Sequence, residues 1–224
     1  RYNIPSPIAT VINWSYCVSN GYLVFIPDVV FRKGEPGASS YDAVVSGVKS
    51  LIDRYDFIDK DRIALNGHSW GGYQIAFLVT RTNMFKAAVS GAPVVNMTSA
   101  YGGIRWESGK SRMFQYEQTQ SRIGGTLWDK PAEFIRNSPL FFLPQVQTPV
   151  LIMHNDKDGS VMWEQGIEFF MALRRLDKPV WLFNYKGEGH HLKKWENRLD
   201  YSRRVMEFYD YYLKDGKKPE WMKS

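Results

Sequence analysis

Unbroken apolar runs recur along the chain, and most are followed by a stretch whose apolar residues recur at helical spacing. The clearest run, Tyr-Leu-Val-Phe-Ile at 22–26, ends at Pro27-Asp28, which is typical of a strand buried on both faces. The runs predict strands at about 22–27, 62–67, 86–91, 149–154 and 180–185. Strands that alternate with helices indicate an α/β fold, with a mostly parallel sheet and helices on both faces.

Helix signals lie between these runs. Ser6-Pro7 is a good helix start and Asn20-Gly21 a good stop, so a helix is predicted over 6–19. Further helices are predicted at about 40–54, 74–79, 162–176 and 195–213. Residues 94–145 interrupt the alternation, because they combine two pairs of glycines with many aromatic residues. We expect an insertion there that covers the edge of the sheet where ligands bind.

The segment Asn66–Tyr73 carries the strongest chemical signal. Its residues 67–71 read Gly-His-Ser-Trp-Gly and fit the G-x-S-x-G pattern, with an apolar run before and a helical stretch after. This context predicts a nucleophile elbow, in which Ser69 adopts a strained backbone conformation and exposes its hydroxyl. Glycines at 67, 71 and 72 are expected where strand and helix approach closely. The helix N-terminus would aim N–H groups at an oxyanion, and the Trp70 N–H is one expected donor.

Two later loops carry the residues that a serine nucleophile requires. One follows the strand ending at 154 and contains Asp156 and Asp158, and the other follows the strand ending at 185 and contains His190 and His191. Loops at the carboxyl ends of parallel strands meet at one edge of the sheet, and an imidazole held by a carboxylate activates a serine hydroxyl. Spacing alone does not choose between the two acids or between the two histidines.

The other two histidines are expected to support the structure. His68 would point away along the turn, and His154, at the end of a strand, would form a structural hydrogen bond. No H-E-x-x-H motif and no Cys/His ligand spacing is present, so we expect no metal and no cofactor, and activity that chelators do not affect.

Composition narrows the class of protein. A chain of 224 residues with 44% hydrophobic content can bury one substantial core, and we expect a single domain. The formal charge of +6 is spread along the chain and no nucleic-acid motif accompanies it, so no nucleic-acid partner is expected. The single cysteine, Cys17, excludes an internal disulfide framework. No apolar run approaches the roughly 20 residues of a membrane span.

Several motifs together resemble the catalytic domain of the prolyl oligopeptidase family of serine peptidases. Gly67–Tyr73 closely resembles the elbow of that family, and Asp59–Ala64 looks like the Asp-Pro-x-Arg-Ile stretch before it. His154–Val161 fits the H-G-x-x-D-x-x-V motif, which selects Asp158. Gly187–His190 fits the G-E-G-H motif, which selects His190. The resemblance therefore implies a triad of Ser69, Asp158 and His190 on an α/β-hydrolase fold.

The resemblance also implies an activity, the hydrolysis of peptide bonds in oligopeptides through an acyl-enzyme. The alternatives are a carboxylesterase or other acyl hydrolase on the same fold, or a non-catalytic binding module. Dipeptidyl, acylaminoacyl and endopeptidase specificities are left open, as are a homodimer and the compartment, cytoplasmic or periplasmic/secreted. By similarity to the family, Tyr101 is expected to line the pocket for the residue before the scissile bond, and a core-packing tyrosine is the equal alternative.

The same resemblance implies that residues 1–224 are the C-terminal part of a catalytic domain with an insertion at 94–145. The five predicted strands would be the fourth to eighth of the family's sheet. The first strands and a β-propeller would then lie upstream in the same polypeptide, together with the tyrosine that supplies the second oxyanion donor. Tyr2 is a poor candidate for that tyrosine.

Two departures from the family pattern stand out. Asn155 replaces the glycine that usually follows His154, and we expect little harm because Asn tolerates a left-handed conformation. The loop 29–38 lacks the usual Arg-Gly-Ser sequence, so contacts made there are expected to differ.

Overall fold

A parallel sheet lies at the centre of residues 12–223, the part of the chain that the computed structural model describes. The strands, numbered along the chain, are β1 (Ala64–His68), β2 (Ala87–Gly91), β3 (Ile104–Arg105), β4 (Lys110–Ser111), β5 (Val150–Met153) and β6 (Val180–Phe183). The central sheet has the order β1-β2-β5-β6 with every pair parallel, whereas β3 and β4 form a separate antiparallel pair. The α/β prediction is confirmed.

Helices cover both faces of this sheet. They are α1 (Trp14–Ser19), α2 (Pro36–Arg54), α3 (Trp70–Val79), α4 (Met97–Tyr101), α5 (Met113–Glu117), α6 (Pro131–Arg136), α7 (Glu164–Arg175) and α8 (Trp195–Leu213), with 3₁₀ helices at Pro139–Gln145 and Glu220–Met222. Helices α2, α3 and α7 contribute residues to the core on one face of the sheet, and α8 contributes residues to the core on the other face. Within residues 12–223, every helix is too short or too polar to cross a lipid bilayer.

Alternation along β5 shows how the two halves of the core are divided. Val150 and Ile152 pack with α2, α3 and α7, whereas Leu151 and Met153 pack with α8, and all four residues are fully buried. Successive side chains of a strand point to opposite faces, so an unbroken apolar run is required when both faces are covered. The periodicity argument therefore holds for the central strand.

The first predicted helix is shorter than expected over the part that can be compared. It begins at Trp14, where the Asn13 side chain accepts a hydrogen bond from the N–H of Tyr16 at 3.0 Å. It ends at Ser19, before Gly21 at a φ of 77°, so the predicted stop is confirmed. The predicted start at Ser6-Pro7, like Tyr2, lies outside the described residues.

The prediction of a buried strand at 22–27 is wrong for the structure described. No strand is assigned there, and the side chains of Leu23, Phe25 and Ile26 are 69%, 45% and 56% exposed. Apolar composition favours burial, but a strand also needs a neighbour that accepts its backbone hydrogen bonds. Among residues 12–223 no segment pairs with 22–27, and in particular it does not pair with β1.

The segment 94–145, where the sequence predicts an insertion, does not continue the alternation of strands and long helices. It contains short helices and the β3–β4 hairpin, and its aromatic residues form a core cluster of their own beside α3. The hairpin contacts the loop after β5, where Arg105 donates to Ser160 Oγ at 3.0 Å and the N–H of Glu107 donates to the carbonyl of Gly159 at 3.3 Å. The insertion thus supports the loop that carries the candidate acids.

Candidate active site

Ser69 lies between β1 and α3 in the backbone conformation expected for a nucleophile elbow. Its φ and ψ are 60° and −117°, a combination that residues other than glycine rarely adopt. Its N–H donates to the carbonyl of Gly91 in β2 at 2.8 Å, and its carbonyl accepts from Tyr73 in α3 at 3.0 Å. These bonds to two neighbouring elements hold the strained residue in place.

Two of the three glycines at the elbow are required by close backbone approach. A Cβ on Gly67 would lie 2.3 Å from the carbonyl oxygen of Gly71, and a Cβ on Gly72 would lie 2.3 Å from the carbonyl oxygen of Gly91. The expectation for Gly71 itself is wrong. A Cβ there would meet nothing nearer than Gln74 Oε1 at 3.9 Å, an ordinary van der Waals distance, and its φ is not positive.

Ser69, His190 and Asp158 form a continuous hydrogen-bonded chain. His190 Nε2 lies 2.8 Å from Ser69 Oγ, and His190 Nδ1 lies 2.7 Å from Asp158 Oδ2. The carboxylate can only accept, so Nδ1 carries the proton and the lone pair of Nε2 faces the serine hydroxyl. This is the tautomer that a general base needs.

The carboxylate of Asp158 is buried and strongly held. Its Oδ1 accepts the N–H groups of Ser160 and Val161, both at 2.8 Å, and its Oδ2 also lies 3.3 Å from His154 Nε2. Burial acts to raise the pKa of Asp158, but its bonds to His154 and His190 outweigh burial and hold that pKa well below its usual range. Asp158 is therefore ionised at neutral pH.

The structure separates the pairs that spacing could not. The Asp156 carboxylate bonds the backbone instead of an imidazole, since its Oδ1 accepts the N–H of Gly187 at 2.7 Å. His191 is exposed, whereas the His190 side chain is 10% exposed and bonds both Ser69 and Asp158. His154 is a structural hydrogen bonder as expected, with Nε2 3.1 Å from the carbonyl oxygen of Val161.

Asn155 connects the two loops that carry the acid and the base. Its Nδ2 donates to the carbonyl of Gly189 at 2.8 Å, and its Oδ1 accepts the N–H of Tyr185 at 3.0 Å. Its φ is negative, so tolerance of a left-handed conformation is not what suits Asn to this position. Both hydrogen bonds need the side chain, and neither could be inferred from a local sequence pattern.

Glu188 fixes the start of α8 directly after the β6 loop. Its carboxylate accepts the N–H groups of Lys193 and Lys194, each at 2.9 Å, and Asn197 Nδ2 at 2.7 Å. Burial acts to raise the pKa of Glu188, and these hydrogen bonds outweigh it and lower that pKa. The glutamate of the G-E-G-H motif thus positions His190, two residues away, by binding the helix N-terminus.

His68 was expected to point away from the site, but its ring lies beside His190 and His191. Its ring centroid lies 4.8 Å from that of His190 and 4.8 Å from that of His191. Gly91 makes room for it, because a Cβ on that residue would lie 2.5 Å from His68 Nδ1. The absent side chain in β2 therefore lets the imidazole pack against the base.

Tyr101 lies in the aromatic core of the insertion. It is 2% exposed, its ring packs edge-on against Phe134 with centroids 5.0 Å apart, and its hydroxyl donates to Glu117 Oε1 at 2.6 Å. Tyr101 offers a ligand almost no surface, so this geometry favours the core-packing alternative over the substrate-binding one.

Trp70 is the first residue of α3. The first four N–H groups of a helix have no partner inside it, and they carry the positive end of the helix dipole. The Trp70 N–H follows Ser69 directly and lies at this end of the helix. Its position is compatible with the oxyanion donor that the sequence predicts.

Comparisons with known proteins place this geometry in context. The sequence profile of the prolyl oligopeptidase family matches residues 12–216. An uncharacterized peptidase, YuxL, of Bacillus subtilis (strain 168) is 31% identical over 166 residues, which cover 72% of this chain and 23% of the relative. The acylamino-acid-releasing enzyme of Homo sapiens is 29% identical over 174 residues, which cover 75% of this chain and 22% of the relative.

Solved structures show the same fold. A puromycin-hydrolyzing peptidase of Mycobacterium tuberculosis superposes with a TM-score of 0.68 at 24% identity, over 81% of this chain and 26% of that one. The acylaminoacyl peptidase of Pyrococcus horikoshii superposes with a TM-score of 0.69 at 20% identity, over 86% of this chain and 30% of that one. The chain thus spans about a quarter of the length of the curated relatives it matches.

Proposed function

Because the chain belongs to the prolyl oligopeptidase family, we propose that it carries the catalytic triad of a serine peptidase that hydrolyses peptide bonds through an acyl-enzyme. The observation that carries the proposal is the unbroken chain of hydrogen bonds from Ser69 through His190 to Asp158, at 2.8 and 2.7 Å. Ser69 has the strained backbone of a nucleophile elbow, at a φ of 60°.

Acylation follows from this arrangement. Ser69 Oγ attacks the carbonyl carbon of the scissile bond while its proton passes to His190 Nε2, and the carbonyl oxygen gains negative charge. Asp158 stabilises the imidazolium through Nδ1–H, and the Trp70 N–H at the start of α3 stabilises the oxyanion. Collapse of the tetrahedral intermediate breaks the C–N bond, and His190 returns its proton to the leaving amine.

Deacylation uses the same groups in reverse. His190 accepts a proton from a water molecule, the resulting nucleophile attacks the acyl-enzyme ester, and the proton passes back to Ser69 Oγ as the acid product leaves. His190 must stay in one tautomer throughout, which the buried and ionised Asp158 ensures.

The proposed substrates are short peptides. The relatives are named for releasing acylamino acids, for dipeptidyl peptidase activity and for puromycin hydrolysis. We therefore propose amide substrates with few residues before the scissile bond, and this proposal extends to the intact protein.

Replacement of the nucleophile tests the proposal. In the intact protein, Ser69→Ala should abolish both the turnover of aminoacyl-peptide amides and labelling by a fluorophosphonate, because within residues 12–223 Ser69 supplies the hydroxyl that is bonded to His190. The matched control is Ser46→Ala, which removes an exposed hydroxyl that bonds only the carbonyl of Asp42 in α2. The control should keep wild-type turnover and labelling.

The same assay separates a peptidase from an esterase. A triad acts on esters and amides alike, so matched ester and amide substrates should be compared in wild-type protein. A peptidase retains useful turnover of the amide. Labelling that survives Ser69→Ala would refute the assignment of the nucleophile, and turnover of the ester alone would refute the peptidase.

A further inference from the structure

Three imidazoles converge beside Ser69, although only one of them belongs to the triad. The ring centroids of His68, His190 and His191 are separated by 4.8, 4.8 and 4.9 Å. One ring nitrogen of each can be chosen so that all three lie within 4.8 Å of one another. His190 alone of the three makes the hydrogen bonds of the proposed triad.

His68 is the least satisfied of the three. It is 9% exposed, and neither of its ring nitrogens has a hydrogen-bond partner among residues 12–223. A neutral imidazole carries one donor and one acceptor, and burying them without partners has a cost in free energy because each loses its hydrogen bond to water. A ligand that bound one of these nitrogens would offset part of that cost.

We propose that His68, His190 and His191 together bind one Zn²⁺ ion, and that this ion inhibits the triad. Zn²⁺ accepts three histidines plus water in tetrahedral geometry at about 2.0–2.1 Å, which sets the nitrogens about 3.4 Å apart. The present separations reach 4.8 Å, so the rings must approach one another by somewhat over 1 Å. His191 is exposed and can make most of this movement.

Inhibition follows from the bonds that His190 already makes, and this part of the inference rests on the proposed function. If Nε2 binds the ion, Ser69 loses the acceptor for its proton, which lies 2.8 Å away. If Nδ1 binds the ion, its proton must leave to solvent and the bond to Asp158 is broken. Either mode of coordination removes the general base, so bound Zn²⁺ and peptide hydrolysis exclude each other.

The proposed zinc site is inhibitory, and catalysis itself is still expected to need no metal. Its ligands come from the elbow and from the loop after β6, which are more than 120 residues apart along the chain. The zinc site therefore does not correspond to a sequence motif whose ligands are closely spaced.

Binding is tested first, without reference to activity. Calorimetric titration of the intact Ser69→Ala protein with ZnCl₂ should give one ion per chain, because all three histidines remain. Addition of His191→Gln should weaken binding by at least about tenfold, because even the loss of a group that only hydrogen-bonds to a metal ligand costs about 10–100-fold in metal affinity. The matched control is Lys186→Gln, an exposed residue of the same loop, which should bind Zn²⁺ like the parent.

Turnover is then measured against ZnCl₂ in proteins that retain Ser69, each normalised to its own rate without the metal. Wild type and Lys186→Gln should be inhibited alike, and His191→Gln should need at least about tenfold more Zn²⁺ for half-inhibition. Equal zinc affinity in parent and His191→Gln, or no calorimetric binding, would overturn the site. A protein that binds Zn²⁺ but never hydrolyses amides would refute the peptidase and leave the site standing.

Discussion

Both ring nitrogens of His190 are engaged, and at the scale of single residues this makes catalysis depend on the partner of Nδ1. Asp158→Asn would keep the shape of the side chain but could present an N–H to Nδ1, which moves the imidazole proton to Nε2. That tautomer cannot accept a proton from Ser69. We predict that kcat for a peptide amide falls by about 10³–10⁴-fold with little change in KM, as for loss of the acid in other triads.

Asp156→Asn is the matched control for this prediction, because it changes a carboxylate two residues away in the same loop. Among residues 12–223, the Asp156 carboxylate accepts a hydrogen bond from the backbone N–H of Gly187 in the neighbouring loop, at 2.7 Å. Its substitution should change kcat by no more than a few fold. Comparable losses in the two variants would mean that the loop as a whole, and not the carboxylate of Asp158, supports turnover.

The role of a single residue could be predicted from the sequence when the residue lies in a recognisable motif. It could not be predicted when the role depends on partners that are distant along the chain. The triad could be chosen because each member lies in a local motif, even though Asp156 and His191 compete with Asp158 and His190 by spacing. Asn155 could not be interpreted in the same way. Its partners, Tyr185 and Gly189, lie 30 and 34 residues along the chain, and only the parallel order of β5 and β6 brings them together.

At the scale of elements, the elbow depends on contact between the backbones of β1, β2 and α3. We predict that Gly72→Ala lowers the free energy of unfolding by about 1–3 kcal/mol or more, because its Cβ would press on a carbonyl oxygen that cannot move freely. That oxygen belongs to Gly91, and the contact would be 2.3 Å. Urea unfolding of the intact protein measures the loss.

Gly71→Ala is the neighbouring control, since its Cβ would approach nothing closer than 3.9 Å. Alanine is favoured over glycine inside a helix by about 0.5–1 kcal/mol, so this variant should be as stable as wild type or slightly more so. Equal destabilisation by the two substitutions would contradict the distinction between close approach at 72 and open space at 71.

The elements themselves followed from periodicity wherever packing alone determines them. The predicted helices at 40–54 and 195–213 correspond to α2 and α8, at Pro36–Arg54 and Trp195–Leu213. Each has an apolar stripe that the sheet covers. The segment 22–27 differs because an apolar run reports burial and cannot report whether a neighbouring strand is available to pair with it.

At the scale of the whole molecule, the segment 22–27 and the outer edge of β1 both lack a paired strand within residues 12–223. β1 is at the edge of the sheet within residues 12–223, and 22–27 does not pair with it. Tyr22 contacts α8 through Tyr209 at 6.0 Å between centroids, and Phe25 packs at Gly47 of α2. The segment therefore bridges the two helical layers beside the sheet, as a strand of that sheet would.

We propose that in the intact protein a further strand of the same polypeptide pairs with the free edge of β1. Backbone N–H groups alternate in direction along a strand, and the N–H of Ser69 points to Gly91 in β2. The N–H groups of Asn66 and His68 therefore point to the free edge. Unpaired backbone groups that become buried cost roughly 1–3 kcal/mol each, which favours a strand at this position.

Amide hydrogen exchange tests this proposal, with residues 1–224 expressed alone beside the full-length polypeptide. The amides of Asn66 and His68 and of residues 23–26 should exchange slowly only in the full-length protein, whereas the N–H of Ser69, bonded to Gly91, should be protected in both. Turnover by residues 1–224 alone should be about 100–1000-fold lower if the added strand also leads to a second oxyanion donor. Equal protection at Asn66 and equal turnover in the two proteins would show that β1 is a true edge and that the site is complete without further strands.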